Sequence, residues 1–337
     1  MLLQSNFVYG TATEEKSIMN LTQLLTASLM STLALSAPHL SAEGYSDSSP
    51  VPAEALAKIE AAMPAQPRVS PQRVRKLLVY SFPESYHSSV PYGARALVAM
   101  AHKSRAFEAV LTTNTASFEP ENLKQFDAIF LNNITPVNRL PKELFLPGCG
   151  ENFDKVSVSE QGPARQRNER LKRSLMDFVR GGKGLCGNHS TTDCFYEWRE
   201  FGQMLGGYFD GHPWHEKVTL ELVDPQNPVN AAFEGRSFQV TDEIYQFKAP
   251  YTRDALHVLT RLDITKVNMS RPGVNRPDKD FAVSWVRDWG KGRVFYCSLG
   301  HREEIYFNPV VMQHYLDGIQ FALGDLKADA RPSAQEK

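Results

Sequence analysis

The chain has 337 residues, with 37 Lys plus Arg against 38 Asp plus Glu and a hydrophobic fraction of 42%. That is an ordinary globular composition, long enough for one large domain or two modest ones. A net charge of −1 supplies no basic excess for a polyanion, so nucleic acid is not an expected partner.

From Met19 the sequence enters an apolar stretch between Leu21 and Leu35, followed by small residues at Ser36, Ala37 and Ala42. This pattern reads as a secretory signal peptide over residues 1–42 with Met19 as the start, and it assigns the mature protein to the periplasm or the medium. The stretch is too short and too rich in Ser and Thr for a membrane span of about 20 apolar residues. Residues 43–75, rich in Pro, Ser and Ala, read as a linker or N-terminal packing arm with a short helix at Ala53–Ala62. One domain is expected over 76–326, with a polar tail at 327–337.

Within that domain strands alternate with helices, the signature of a parallel α/β sheet. Lys76–Ser81 reads as a buried strand, Tyr92–Lys103 as a helix, and Phe107–Thr112 and Phe126–Asn132 as further strands. The stretch Pro136–Asn168, broken by Gly and Pro, shows little periodicity and reads as a long inserted loop. Glu169–Arg180 is an amphipathic helix closed by Gly181 and Gly182. Gly184–Asn188 is a short strand, and His189 to Asp193 follow at its carboxyl end, where open α/β sheets bind ligands. The second half is strand-rich, at Glu216–Val223, Ser237–Val240, Ala255–Leu262, Phe281–Arg287 and Arg293–Ser298, the last two joined by a Gly290–Arg293 turn. A helix at Pro309–Leu323 closes the domain.

Five of the nine histidines, His87, His189, His212, His215 and His301, stand in loop-like contexts or at strand ends. Imidazole suits both proton transfer near neutral pH and metal ligation. On extended backbone after a strand, Glu243 and Tyr245 share one face, a pairing suited to acid–base work or to binding sugar hydroxyls. Tyr86, Trp198, Trp214 and Tyr251 lie near these motifs as platforms for an apolar sugar face.

Cys186 and Cys297 fall in apolar runs and read as buried thiols, whereas Cys149 and Cys194 sit in loop contexts that permit a disulfide. No two cysteines are three apart, which excludes a CxxC metal site. The glycine and histidine signatures of dinucleotide, P-loop, HExxH and G-x-S-x-G chemistry are missing. Cys186 precedes the end of its strand, and the residue on the turn itself is His189.

The segments KLLVYSFPESYHSSVPYGARAL, FDAIFLNNIT, FVRGGKGLCGNHSTTDCFYEW, LGGYFDGHPW, DEIYQF and WGKGRVFYCSLGHREEIY occur in this order. Together they resemble the ThuA-like (trehalose utilisation) family over about Lys76–Leu326. The resemblance implies a class I glutamine amidotransferase-like α/β fold, a flavodoxin-like three-layer sandwich. Its mostly parallel central sheet is flanked by helices, here with added antiparallel strands in the second half. It implies that the amidotransferase cysteine is not retained as a nucleophile, and that the chemistry concerns disaccharides or their 3-keto derivatives.

Carried over by motif, the catalytic set is His189, Asp193, Glu243 and His301, and the substrate contacts are His87, His212 and Tyr245, to which the aromatic reading adds Tyr86 and Trp214. His189 or Glu243 would act as base and His301 or His212 as acid. No cofactor motif stands out, and a divalent metal such as zinc, held by His87, His189 and His212, would polarise a keto oxygen instead. A small-molecule sugar is the expected partner. A non-catalytic carbohydrate-binding protein and a Cys186 hydrolase or amidotransferase are the alternatives.

Overall fold

In the computed structural model, which describes residues 50–83, 85–136 and 142–333, strand β1 (Lys76–Ser81) lies between β2 (Glu108–Thr112) and β3 (Ala128–Asn132), all parallel. β1 is apolar nearly end to end because both its faces are covered: Leu77 and Val79 enter one core, Leu78 and Tyr80 the other. β4 (Gly184–Asn188) adds in parallel to β3, and β11 (Gly292–Cys297) in parallel to β4. Beyond β11 the sheet turns antiparallel through β10 (Ala282–Trp289), β9 (His257–Leu262), β6 (Trp214–Leu222) and β7 (Phe238–Ile244). The nine strands run in the order β2-β1-β3-β4-β11-β10-β9-β6-β7. A separate two-stranded sheet pairs β5 (Tyr208–Phe209) with β8 (Phe247–Lys248).

Helices α1 (Ala53–Ala62), α2 (Val90–Ser104) and α6 (Pro309–Leu323) cover one face of the large sheet. The other face is covered by α4 (Val158–Arg180) and α5 (Arg199–Leu205), while α3 (Pro120–Leu123) is a single turn after β2. The three-layer α/β architecture and its split into parallel and antiparallel halves are as expected from the sequence. Small residues in β4 let α6 come close: a Cβ at Gly184 would sit 2.4 Å from the Ala322 carbonyl oxygen. The segment before β1 packs on the domain, with Ile59 and Met63 buried. Arg68 bonds Asp317 through Nη2 (2.8 Å), and its backbone N–H donates to Gln320 (2.7 Å).

Two local expectations are corrected and one open option is decided. Helix α4 begins at Val158 rather than Glu169, because its first turns face solvent and carry no apolar stripe to read. β7 continues through Ile244, so Asp242 and Glu243 belong to the strand rather than follow it. All four cysteines are buried thiols, so the Cys149–Cys194 pairing is not formed. The expected signal over 1–42 lies outside the described residues. Among the described residues no helix is long and apolar enough to cross a membrane.

Candidate functional site

Strand direction decides where the chemistry gathers. The carboxyl ends of β1, β3, β4, β11 and β7, together with the amino end of β6, share one edge of the sheet. His87 stands in the loop after β1, His189 directly after β4, His301 after β11, and Glu243 next to the end of β7. One ligand atom from each of these four lies within 4.8 Å of the others.

His189 occupies the turn itself with a left-handed φ of 37°, a conformation that a non-glycine residue keeps only where its surroundings impose it. Its Nδ1–H donates to the Ser298 carbonyl (2.8 Å), which leaves the Nε2 lone pair facing the cleft. Nε2 accepts from the Tyr245 hydroxyl (2.9 Å) and lies 3.4 Å from Glu243 Oε2. His301 Nδ1 lies 3.3 Å from the same oxygen. The other oxygen, Oε1, faces outward to His212 Nδ1 at 3.2 Å and His215 Nδ1 at 3.9 Å.

Buried polar bonds tie the four loops together. Asp242 points the opposite way from Glu243 and accepts the backbone N–H groups of Gly300 (2.7 Å) and Arg302 (2.9 Å), the two neighbours of His301. Asn133, itself at φ 49°, donates to the Gly300 carbonyl (3.0 Å) and accepts from Ser190 N–H (3.1 Å). Ser89, two residues beyond His87, donates to the same Gly300 carbonyl (2.7 Å). A fully satisfied buried network of this kind rigidifies what it connects.

The electrostatics separate the groups. Burial, then the neighbouring His189 and His301 rings, push His87 down to about 2, so its imidazole stays neutral. Burial alone would raise the Glu243 carboxyl, but its contacts with His189 and His301 outweigh that and hold it well below the usual range. Burial pushes His301 down, and the Glu243 carboxylate prevails in pushing it up. Burial raises Tyr245 well above the ordinary phenol value, keeping its hydroxyl a donor.

A cleft of about 710 Å³ opens over this cluster, lined also by Tyr86, Lys142, Asp193, Phe209, His212 and His215. Of the residues singled out in the sequence, His87, His189, Glu243, Tyr245, His212 and His301 come together here, with 63% exposed Tyr86 at the rim. Trp214 does not. It alternates inward on β6, is fully buried, and stacks edge-on against Phe281 while its indole N–H donates to the Asn268 carbonyl. Trp198 and Tyr251 are core residues as well.

Asp193 lies on the cleft wall, bonded to Lys142 and Tyr196. Cys186 is wholly buried within β4, and burial pushes its thiol up, so it is not presented to the cleft. Two contributors were missed by sequence reasoning as site residues: Asp242 and Lys142. His215, singled out among the histidines but given no role, joins the cleft as the cross-strand partner of Glu243.

The buried cluster suits a divalent cation. The Nδ1 atoms of His87 and His301 are buried without a hydrogen-bond partner. With His189 Nε2 and a Glu243 oxygen they make a set of three imidazoles and one carboxylate, a donor set that zinc and similar ions take. The His189 Nδ1–H bond to a carbonyl is the outer-shell bond that orients a ligating imidazole. A cation there would replace the Tyr245 bond to Nε2. His212, expected among the ligands, falls outside this group, and His301 and Glu243 take its place.

Comparison with known proteins agrees with this fold. A ThuA-like protein of Bacteroides uniformis is similar with a TM-score of 0.52 at 18% identity, over 77% of this chain and 93% of that one. A ThuA-like protein of Parabacteroides merdae gives 0.50 at 14% identity, over 76% and 93%. None of the curated proteins compared matches the sequence. The profile described as trehalose utilisation, ThuA, matches residues 76–322. The chain therefore belongs to the ThuA family.

Proposed function

We propose that the protein is an exported enzyme acting on a glycoside or its 3-keto derivative, with a divalent cation at His87, His189, Glu243 and His301. The observation that carries this reading is the gathering of those four ligand atoms within 4.8 Å at the floor of an open cleft. A bound divalent ion supplies Lewis-acid polarisation of a substrate oxygen.

The rest is done by the chain's own residues. His212 Nδ1 lies 3.2 Å from Glu243 Oε1, which leaves its Nε2 for proton transfer. A 3-keto group acidifies the adjacent C–H. His212 would take that proton, the C–O bond to the leaving sugar would break as the C=C bond forms, and His212 would return the proton to the departing oxygen. The Tyr245 hydroxyl, kept protonated by burial, is a donor to a substrate oxygen on the same wall. No strong nucleophile is needed, in keeping with the buried Cys186.

The test uses the mature protein, recovered from the periplasmic or secreted fraction, with its metal content measured and 3-keto-trehalose as substrate. The expected result is one divalent ion per chain, with turnover lost on chelation and restored by one metal. Turnover indifferent to chelation would leave His and Glu acid–base chemistry alone. Saturable sugar binding without metal or turnover would replace the enzyme with a carbohydrate-binding protein, and a protein found only in the cytosol would overturn export.

A further inference from the structure

A second polar group lines the same cleft, and the chemistry above does not use it. The Lys142 ammonium lies 2.7 Å from both carboxylate oxygens of Asp193, and the Tyr196 hydroxyl donates to Asp193 Oδ1 (2.5 Å). The backbone around it is held in an uncommon form. Lys142 has φ 63° and Phe195 φ 55°, and the Phe195 N–H donates to the Lys142 carbonyl (3.1 Å). Non-glycine residues stay in that region only where the fold over-determines them, and such positions cluster at ligand sites. Thr135 adds a bond from its hydroxyl to the Asp193 carbonyl (3.1 Å).

The donor and acceptor inventory says what this pair fits. An ammonium has three N–H donors, two of them spent on Asp193. A carboxylate has about four acceptor positions, three of them taken by Lys142 and Tyr196. One donor and one acceptor remain side by side, the complement of two neighbouring hydroxyls, each of which can donate and accept. The pair is neutral as a unit, so it gives no net attraction to a phosphate or carboxylate, which would meet the Asp193 charge. A cleft of about 710 Å³ leaves room for more than one sugar ring beside the histidines. Lys142 comes from the stretch between β3 and α4, which the sequence marks as an insertion.

We infer that Lys142 and Asp193 form a subsite that holds neighbouring hydroxyls of an uncharged sugar, and that this inserted stretch thereby sets which glycoside reaches the cluster. The inference rests on the sugar reading above. Its test is a steady-state comparison of wild type with Lys142→Met, Asp193→Asn, Lys142→Arg and Tyr196→Phe on 3-keto-trehalose, with metal content and thermal unfolding followed in parallel. Lys142→Met and Asp193→Asn are expected to raise KM about tenfold, with kcat falling much less and bound metal retained. Lys142→Arg should recover part of the loss, and Tyr196→Phe should have the smallest effect. Trehalose 6-phosphate should compete no better than trehalose.

A KM unmoved in well-folded Lys142→Met and Asp193→Asn proteins, a loss confined to kcat, or preference for the phosphorylated sugar would each overturn the subsite while leaving the enzyme reading intact. A wild-type protein that neither turns over nor binds these sugars would remove both readings together.

Discussion

The two oxygens of Glu243 face two different solvents. On the Oε2 side stand His189, His301 and, beside them, His87; His189 and His87 are buried, and the His301 side chain is 24% exposed. On the Oε1 side stand His212 and His215, whose side chains are 50% and 43% exposed against 8% for Glu243. Residue type and carboxylate are the same, and only burial differs. Inside, a charged imidazole is costly, so His87 stays neutral and the Glu243 charge draws positive charge onto His301 against burial. Outside, water can accept and deliver protons. In the proposed function the buried side would hold the cation and the exposed side would move protons.

Several changes should break or sharpen that division. Glu243→Gln removes the group common to both sides, and turnover and metal retention should fall together, metal affinity by roughly 100-fold or more in equilibrium titration. His212→Asn should touch only the exposed side, lowering kcat about 100-fold while the bound metal is retained. Loss of metal in His212→Asn would show that the two sides are one site.

Asp242→Asn weakens the grip on Gly300 and Arg302 without touching the cleft. Metal affinity is expected to fall by about tenfold while sugar KM moves little, because the change displaces His301 and not the hydroxyl contacts. The last test varies pH. Because Glu243 raises His301 above the ordinary imidazole value, a proton on His301 is favoured in the metal-free protein and competes with a cation. Binding should release that proton and weaken as pH falls, by about tenfold per unit below the His301 value. Titration calorimetry in buffers of different ionisation enthalpy counts the protons. An affinity flat from about pH 7 to about pH 5 would contradict the ligand assignment.

The contrast between the two halves of the sheet shows what was legible from residues alone. Strands such as β1 and β3 are apolar on both faces and follow one another through helices, so their existence and direction are local information. The Gly290-Lys291 turn likewise announces the hairpin of β10 and β11, where Trp289 pairs with Gly292. β7 was read short because its last residues include Asp242 and Glu243, whose burial depends on loops from elsewhere in the chain.

The site shows the same limit. His189, Glu243 and His301 carry recognisable motifs, but which histidines share a centre depends on strand direction, and this exchanged His212 for His301 among the candidate ligands. Trp214 was misplaced by strand parity, since it points inward where His215 points toward the cleft. Lys142 left no trace because its partner Asp193 is 51 residues away.

The most direct measurement is anomalous diffraction at the zinc edge from crystals of the zinc-loaded protein. The expected result is one strong peak within about 2.0–2.2 Å of nitrogen or oxygen atoms from His87, His189, His301 and Glu243. A peak held by His212 and His215 without the buried imidazoles, or none at the cluster under saturating zinc, would contradict the division on which the account rests.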